Sequence, residues 1–312
     1  MTSPLSTPQR QWDVYCLGTI CYDLLGTVER YPEWDEKVGM KRLVRQGGGL
    51  IGTASYAIGR LGARVALAGT WGDDEGGAHN RRELSGVGVD LTGVHEIPGT
   101  ATAFAFCVIE EATGRRTIFY RHGTAGTYDP AWLDREAIAR SGALLVNAAH
   151  PQAAEEALRV ARAAGVPSVV DAEGRRREED RLVTDCDYLV PSREFALQST
   201  GESDPERAAR RLLEGGPRAV VVTLGDQGSI GVTAEETVHQ PAFEVPVVDT
   251  TGCGDVYHGA FALAVAEGED LAAAMRSASA VAALKCRELG GRAGCPTREE
   301  VEGLLECGAY RV

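Results

Sequence analysis

From about residue 14 to residue 225, short apolar runs alternate with longer segments whose apolar residues recur at helical spacing, and that alternation narrows the possible architectures sharply. VYCLGTICYDLLG reads as a buried strand ending in a turn, with Asp23 just past the apolar run. GGGLIGTASYAIGRLG opens on glycine and continues with Ile51, Ala54, Ile58 and Leu61 on one helical face, and ARVALAGTWGDDEGG is a second strand and turn. Beyond residue 140, ALLVNAA, VPSVVDAEG, DYLVPS and AVVVTLG read as strands, with AAEEALRVARAAG and ERAARRLLEGG as helices among them. Strands alternating with helices predict an α/β fold with a doubly wound, mostly parallel sheet, in which sites gather at strand ends.

Residues 100–120 break this rhythm. TATAFAFCVIE and RRTIFYR alternate polar and apolar residues and are separated by EATG, which predicts a β-hairpin outside the main sheet, part of a small lid. Its two faces are too apolar for both to be solvated cheaply, so the lid is also expected to join two copies into a homodimer. No internal repeat or long linker divides the chain, so residues 1–312 read as a single domain with lid segments at about 16–46 and 97–125. The run RRREEDR near 175–181 reads as a solvated helix face.

Charge limits the partners. Lys and Arg total 32 against 45 for Asp and Glu, and the net charge of −13 repels nucleic acid and anionic lipid, so neither is expected as a partner. An anionic small molecule then needs local donors and a divalent cation. The eight cysteines contain no CxxC pair and no zinc spacing with His, which suggests buried thiols in a reducing compartment. MTSPLSTPQRQWD lacks the basic and apolar parts of a leader, and no stretch reaches the roughly 18 apolar residues of a membrane span, so a cytoplasmic protein is expected.

VVDTTGCGDVYHGAFALAVAEG, residues 247–268, carries the chemistry. A strand up to Asp249, a turn permitted by Gly252 and Gly254, and a helix starting near Asp255 would aim the backbone N–H groups of Gly252, Cys253, Gly254 and Asp255 at one anion. Asp255, expected to be ionised there, has two readings: a helix cap, or a base that takes the proton from a hydroxyl beside a bound phosphate. His258, three residues on, reads as a packed or solvent-facing imidazole.

DTTGCGD resembles the DTxGxGD signature of the ribokinase-like, phosphofructokinase B type carbohydrate kinases, and further motifs follow the family's order. These are Gly48 and Gly49 with Leu61 and Gly62, then Gly72, Asp73, Asp74 and Gly77 for GDDxxG, then Thr223, Leu224, Gly225 and Gly228 for TLGxxG. The resemblance implies a ribokinase-like fold and ATP-dependent phosphorylation of a sugar hydroxyl, with Asp255 as base and residues 252–255 as anion hole. It also implies a sugar site at Asp23, Gly48, Gly49 and Thr53, a nucleotide site at Thr223, Gly225, Gly228, Ser192 and Gly291, magnesium, and a monovalent cation such as potassium at Asp249. Asp23 suits a polyol, because a carboxylate accepts two hydroxyl hydrogen bonds, although it also suits a turn cap.

Some positions depart from the pattern. Thr53 stands where Asn is common, Cys253 where Ala is usual, and Ser192 where NxxE begins, with Glu194 one place out of step. HQPAF and VAALKCRELGGRAG look like the sulfofructose kinase branch, and Lys37, Arg116, Arg121 and Asp171 are expected to supply charge near an anionic sugar. Fructose or 6-deoxy-6-sulfofructose is therefore the expected substrate. Ribose, 2-keto-3-deoxygluconate or a nucleoside stays open, as does a non-catalytic sugar sensor. A dinucleotide oxidoreductase is disfavoured because GTICYD lacks GxGxxG after the first strand.

Overall fold

The computed structural model describes residues 10–173 and 179–311, so most of the RRREEDR run lies outside the described residues. Thirteen strands are described: β1 (Trp12–Leu17), β2 (Cys21–Val28), β3 (Arg42–Gly48), β4 (Val65–Gly72), β5 (Asp90–Ile97), β6 (Ala103–Glu110), β7 (Arg116–Arg121), β8 (Ser141–Asn147), β9 (Ser168–Ala172), β10 (Tyr188–Pro191), β11 (Ala219–Thr223), β12 (Ser229–Val232) and β13 (Thr237–Gln240). Nine of them form one sheet in the order β13-β12-β11-β10-β9-β8-β1-β4-β5. Every neighbouring pair from β11 to β5 is parallel, and β12 and β13 add an antiparallel edge.

Alternate residues of the central strands serve opposite cores, as the pleat requires. Val14, Cys16, Leu145, Val169 and Val221 face one core, built largely on the helices Leu50–Arg60, Cys253–Glu267 and Leu271–Lys285. Tyr15, Leu17, Leu144, Val146, Val170 and Val220 face the other, covered by the helix Pro151–Ala164 and its neighbours. Burial on both faces explains why these strands read as continuous apolar runs.

The lid is a separate sheet of four strands, β3-β2-β6-β7, and the expected hairpin is its β6 and β7 pair. Its limits are tighter than the sequence suggested, because residues 16 and 17 still belong to β1 and residue 97 to β5. VYCLGTICYDLLG is accordingly two strands in two sheets. Between them Gly18 lies against Asn147, where a β-carbon would overlap the amide oxygen, and Asn147 donates to the Thr19 hydroxyl at 2.9 Å. Asp23 therefore sits within lid strand β2 and not in a turn beyond β1. One lid face packs Cys21, Leu25, Ala105, Cys107 and Ile109 onto Leu289. By register the other face carries Leu24, Phe106 and Phe119, with Phe119 60% exposed.

Candidate active site

The strand expected before the glycine turn pairs with no sheet among the described residues. The N–H groups of Val248 and Asp249 donate instead to the Cys286 carbonyl, at 2.8 and 3.2 Å. At Gly252 the chain takes a left-handed φ of 77°, and a β-carbon there would stand 2.7 Å from the Gly291 Cα. The helix Cys253–Glu267 begins at once. The Cys253 N–H turns back to the Thr250 carbonyl at 3.3 Å, whereas those of Gly254 and Asp255 donate to no protein group among the described residues. Two unclaimed donors at the positive end of a 15-residue helix make a binding place for an anion.

Asp255 is enclosed by protein, though solvent still reaches it. Desolvation first, then the charges of Glu173 and Asp171, push its pKa well above the ordinary carboxylate range, with His258 opposing them. This corrects the expectation of an ionised Asp255 in the free protein: burial first, and then the neighbouring carboxylates, favour its protonated form. His258 is buried, not solvent-facing. Its Nδ1 faces the Gly254 carbonyl at 2.6 Å, and its Nε2 faces the Val190 carbonyl at 2.9 Å and the Asp171 carboxylate at 3.4 Å. Asp171, expected near the sugar, lies fully buried at the end of β9 beside this ring. Glu173 is exposed, with Oε1 3.2 Å from where a Gly254 β-carbon would stand.

On the lid side, each residue of the triple glycine has its own reason. A β-carbon on Gly47 would overlap the Arg292 guanidinium, and one on Gly48 would overlap the Asp23 carboxylate. Gly49 takes a φ of 83° to start the helix Leu50–Arg60. Asp23 presents a buried Oδ1 with no hydrogen-bond partner, and burial raises the carboxyl's pKa despite the Cys21 thiol and nearby Arg292. Thr53 is buried one turn into the helix and lies 3.5 Å from the β-carbon position of Gly291. Arg116 reaches down from β7 to donate to the Thr250 hydroxyl at 2.5 Å. Lys37 is exposed and makes no hydrogen bond or ion pair among the described residues, and Arg121 lies opposite Phe104 on the lid face away from Asp23.

Asp74 of the GDD motif is structural. It caps the helix Glu75–Gly86 at the Gly77 N–H and also accepts from the Thr102 N–H at 2.9 Å and its hydroxyl at 2.6 Å, which pins the start of β6. Across the turn from the lid, Ser192 bridges to Thr223, joining the ends of β10 and β11, and its hydroxyl caps the helix Arg193–Thr200. Glu194 accepts from Gln198 at 2.8 Å. Gly225 and Gly228 shape the turn into β12, and a β-carbon on Gly228 would overlap the Gln240 carbonyl. Gly291, expected at the nucleotide, is wedged between Gly252 and Thr53.

A family model described as pfkB family carbohydrate kinase matches residues 12–298. The chain belongs to that family. It is 29% identical to the ribokinase of Bacillus subtilis over 94% of this chain and 99% of that protein. Among solved structures it resembles an Agrobacterium tumefaciens protein provisionally classed as a ribokinase, at 33% identity and a TM-score of 0.89, covering 95% of this chain and 97% of the other. It also resembles Arabidopsis thaliana ribokinase complexed with ribose and ATP, at 26% identity and a TM-score of 0.82, covering 95% and 99%. This pfkB-family chain is thus an ATP-dependent carbohydrate kinase with a ribokinase-like fold. Among the described residues, no helix is long and apolar enough to cross a membrane.

In this pfkB-family kinase, Asp249 offers little to a free cation. Its carboxylate accepts from the Thr251 N–H, the Thr251 hydroxyl and the Gly290 N–H, at 2.9, 2.8 and 2.8 Å. Its carbonyl takes the Lys285 ammonium, itself fully buried, at 2.8 Å. The positive charge here belongs to the chain itself. Lys285 escaped the sequence reading because it ends an alanine-rich helix, where a lysine usually meets the dipole and solvent. Arg292 escaped it too, as an arginine between glycines, yet it binds Glu83, Asn80 and the Gly48 carbonyl. For magnesium, no cluster of three acidic, His or Cys ligands exists among the described residues. The donors present, chiefly the exposed Glu173 carboxylate beside Gly254, fit an ion held largely by water and phosphate oxygens.

Proposed function

We propose that the kinase phosphorylates a hydroxyl of an uncharged sugar held under the lid, a pentose or ketohexose, with Asp255 as base. The Gly254 and Asp255 N–H groups receive the transferring phosphoryl group, and ATP lies along Thr223, Gly225 and Gly228, where magnesium, when bound, neutralises phosphate charge. Phosphoryl transfer needs positioning and charge neutralisation more than covalent help. A desolvated carboxylate with raised proton affinity suits a base working near neutral pH. The observation that carries the reading is the orphaned Asp23 Oδ1, a buried acceptor on the lid whose charge also acts on Asp255. Leaving it unpaired costs about 1–3 kcal/mol, which a sugar hydroxyl recovers.

An uncharged substrate is favoured over a sulfonated one because two of the three expected cations are turned elsewhere and the third, Arg116 on the Asp23 face, already has a partner. Arg116 is engaged at Thr250, Lys37 is exposed, and Arg121 lies on the far face of the lid. Ribose, which the Arabidopsis ribokinase binds, is the first candidate. ADP release measured with ribose, 2-deoxyribose, fructose and 6-deoxy-6-sulfofructose is expected to give the best neutral sugar at least a tenfold advantage in kcat/KM over the sulfonated one. That factor is about 1.4 kcal/mol, within reach of one unmatched charge. A preference for the sulfonated sugar would overturn this reading and leave the kinase assignment intact.

The lid also supports a homodimer. Leu24, Phe106 and Phe119 form one apolar strip by register, Leu43 beside them is 55% exposed, and the opposite face is occupied by the lid's own core. Light scattering at micromolar concentration is expected to give twice the chain mass, and Phe119→Glu to give a monomer. A monomeric wild-type protein would refute the dimer.

A further inference from the structure

Two thiols meet at the anion turn. Cys253, the first residue of the helix Cys253–Glu267, has its Sγ 3.1 Å from the Sγ of Cys286, which follows the helix Leu271–Lys285. Both residues are only partly buried, whereas Cys16, Cys21, Cys107, Cys186 and Cys295 are buried and Cys307 is a lone exposed thiol. We infer that Cys253 and Cys286 form a dithiol modification site, where a peroxide, or a small-molecule disulfide that leaves as its two reduced thiols, links the two sulfurs and disables the phosphoryl-binding turn.

Cys286 is the attacking sulfur. The Cys253 thiol hydrogen-bonds to it, and this contact, with help from the Lys285 charge, brings the Cys286 pKa down to about 7, while the same contact raises that of Cys253. With hydrogen peroxide, the Cys286 thiolate attacks one oxygen, the O–O bond breaks, and a sulfenic acid and hydroxide result, the hydroxide leaving as water once protonated. Cys253 then attacks the sulfenic sulfur, the S–O bond breaks, its thiol proton goes to the departing hydroxyl, and a second water leaves. Two thiols lose two electrons in all, and one peroxide gains them.

Geometry explains why the bond would reach the chemistry. Closing the sulfurs from 3.1 Å to the roughly 2.05 Å of a disulfide requires movement of about 1 Å. Cys286 is the better anchored partner: its N–H donates to Ala283 at 3.0 Å and its carbonyl holds both Val248 and Asp249. The Cys253 N–H makes only the 3.3 Å contact to Thr250, so the strain falls on the turn beside Gly254 and Asp255. Misplacement on that scale lowers turnover by up to about a hundredfold.

The test treats the whole protein with hydrogen peroxide or glutathione disulfide and follows both mass and ADP release. Expected are a Cys253–Cys286 linked peptide, a loss of about two mass units, at least a tenfold fall in activity, and recovery in dithiothreitol. Cys286→Ser should keep its basal turnover and resist the oxidant, while Cys307→Ser should respond as wild type does. The activity readout rests on the proposed kinase reaction, but the linked peptide does not, so the two ideas fail separately. Absence of the link, a link without loss of activity, or equal inactivation of Cys286→Ser would each overturn the inference.

Discussion

Asp255→Asn is expected to lower kcat at least a hundredfold while ATP affinity holds and the free protein melts no lower than wild type. Asn keeps the shape of the side chain but cannot take the hydroxyl proton, and a positioned base contributes about 10²–10⁴-fold. Stability follows from linkage. The ordinary pKa of 3.8 describes the unfolded chain, and burial with Glu173 and Asp171 raises the folded value well above it. A raised folded pKa means that the folded state binds more protons, so Asp255's favourable contribution is complete below the unfolded value. It is lost as pH rises through the folded one. Above the unfolded value, folding must either keep this carboxyl protonated or bury its charge, a burden that Asn lacks. Melting temperatures from pH 5 to pH 8 should therefore fall less in the variant, and the acid limb of kcat/KM should report an apparent pKa shared with the neighbouring carboxylates. If Asp255 were only a cap, turnover would stay within threefold of wild type, and the proposed mechanism would fail.

Much of this arrangement could be read from the sequence where a strand is buried on both faces. ALLVNAA and AVVVTLG became β8 and β11 because both sides of each pleat need apolar residues, which leaves an unbroken run to read. The strands that escaped notice, β5, β12 and β13, lie at or near the sheet's two edges, where DLTGVHEI is half-exposed and SIGV and TVHQ are only four residues each. Asp23 reads as part of a turn because the change of sheet falls inside a continuous apolar run, where Gly18 and Thr19 give little local warning. The glycines were legible, but their reasons were not. Gly47 must be bare because of a guanidinium 245 positions later, and no local pattern announces that. The raised proton affinity of Asp255 is equally non-local, since it comes from burial and from Asp171 and Glu173 at another strand end.

Arg292 is where the lid base and the core are joined, and its truncation is the second large effect. The side chain is 2% exposed, with its nitrogens at 2.9 Å from Glu83, 2.9 Å from Asn80 and 3.3 Å from the Gly48 carbonyl, and its guanidinium 5.5 Å from the Tyr56 ring. Its backbone N–H holds Gln46 at 2.9 Å, while Glu83 also accepts from the Gly47 N–H at 2.9 Å. Arg292→Ala would leave Glu83 only His79 and the Gly47 N–H as partners and Asn80 Oδ1 without its donor, and would empty a fully buried site, a loss of about 3–5 kcal/mol. For a chain of this size that corresponds to roughly 6–15 °C in Tm. The sugar KM should also rise, because Gly47 and Gly48 set the backbone against which Asp23 rests. Arg292→Lys should recover little, since one ammonium cannot replace a planar fork that reaches three acceptors at once. Glu83→Leu combined with Arg292→Leu provides the control: removing both charges should cost less than removing Arg292 alone, because the half-buried Glu83 carboxylate is then not left short of its guanidinium. If Arg292→Ala unfolds within 1 kcal/mol of wild type in urea, the lid base is held by its own strands, and the network around Arg292 is incidental.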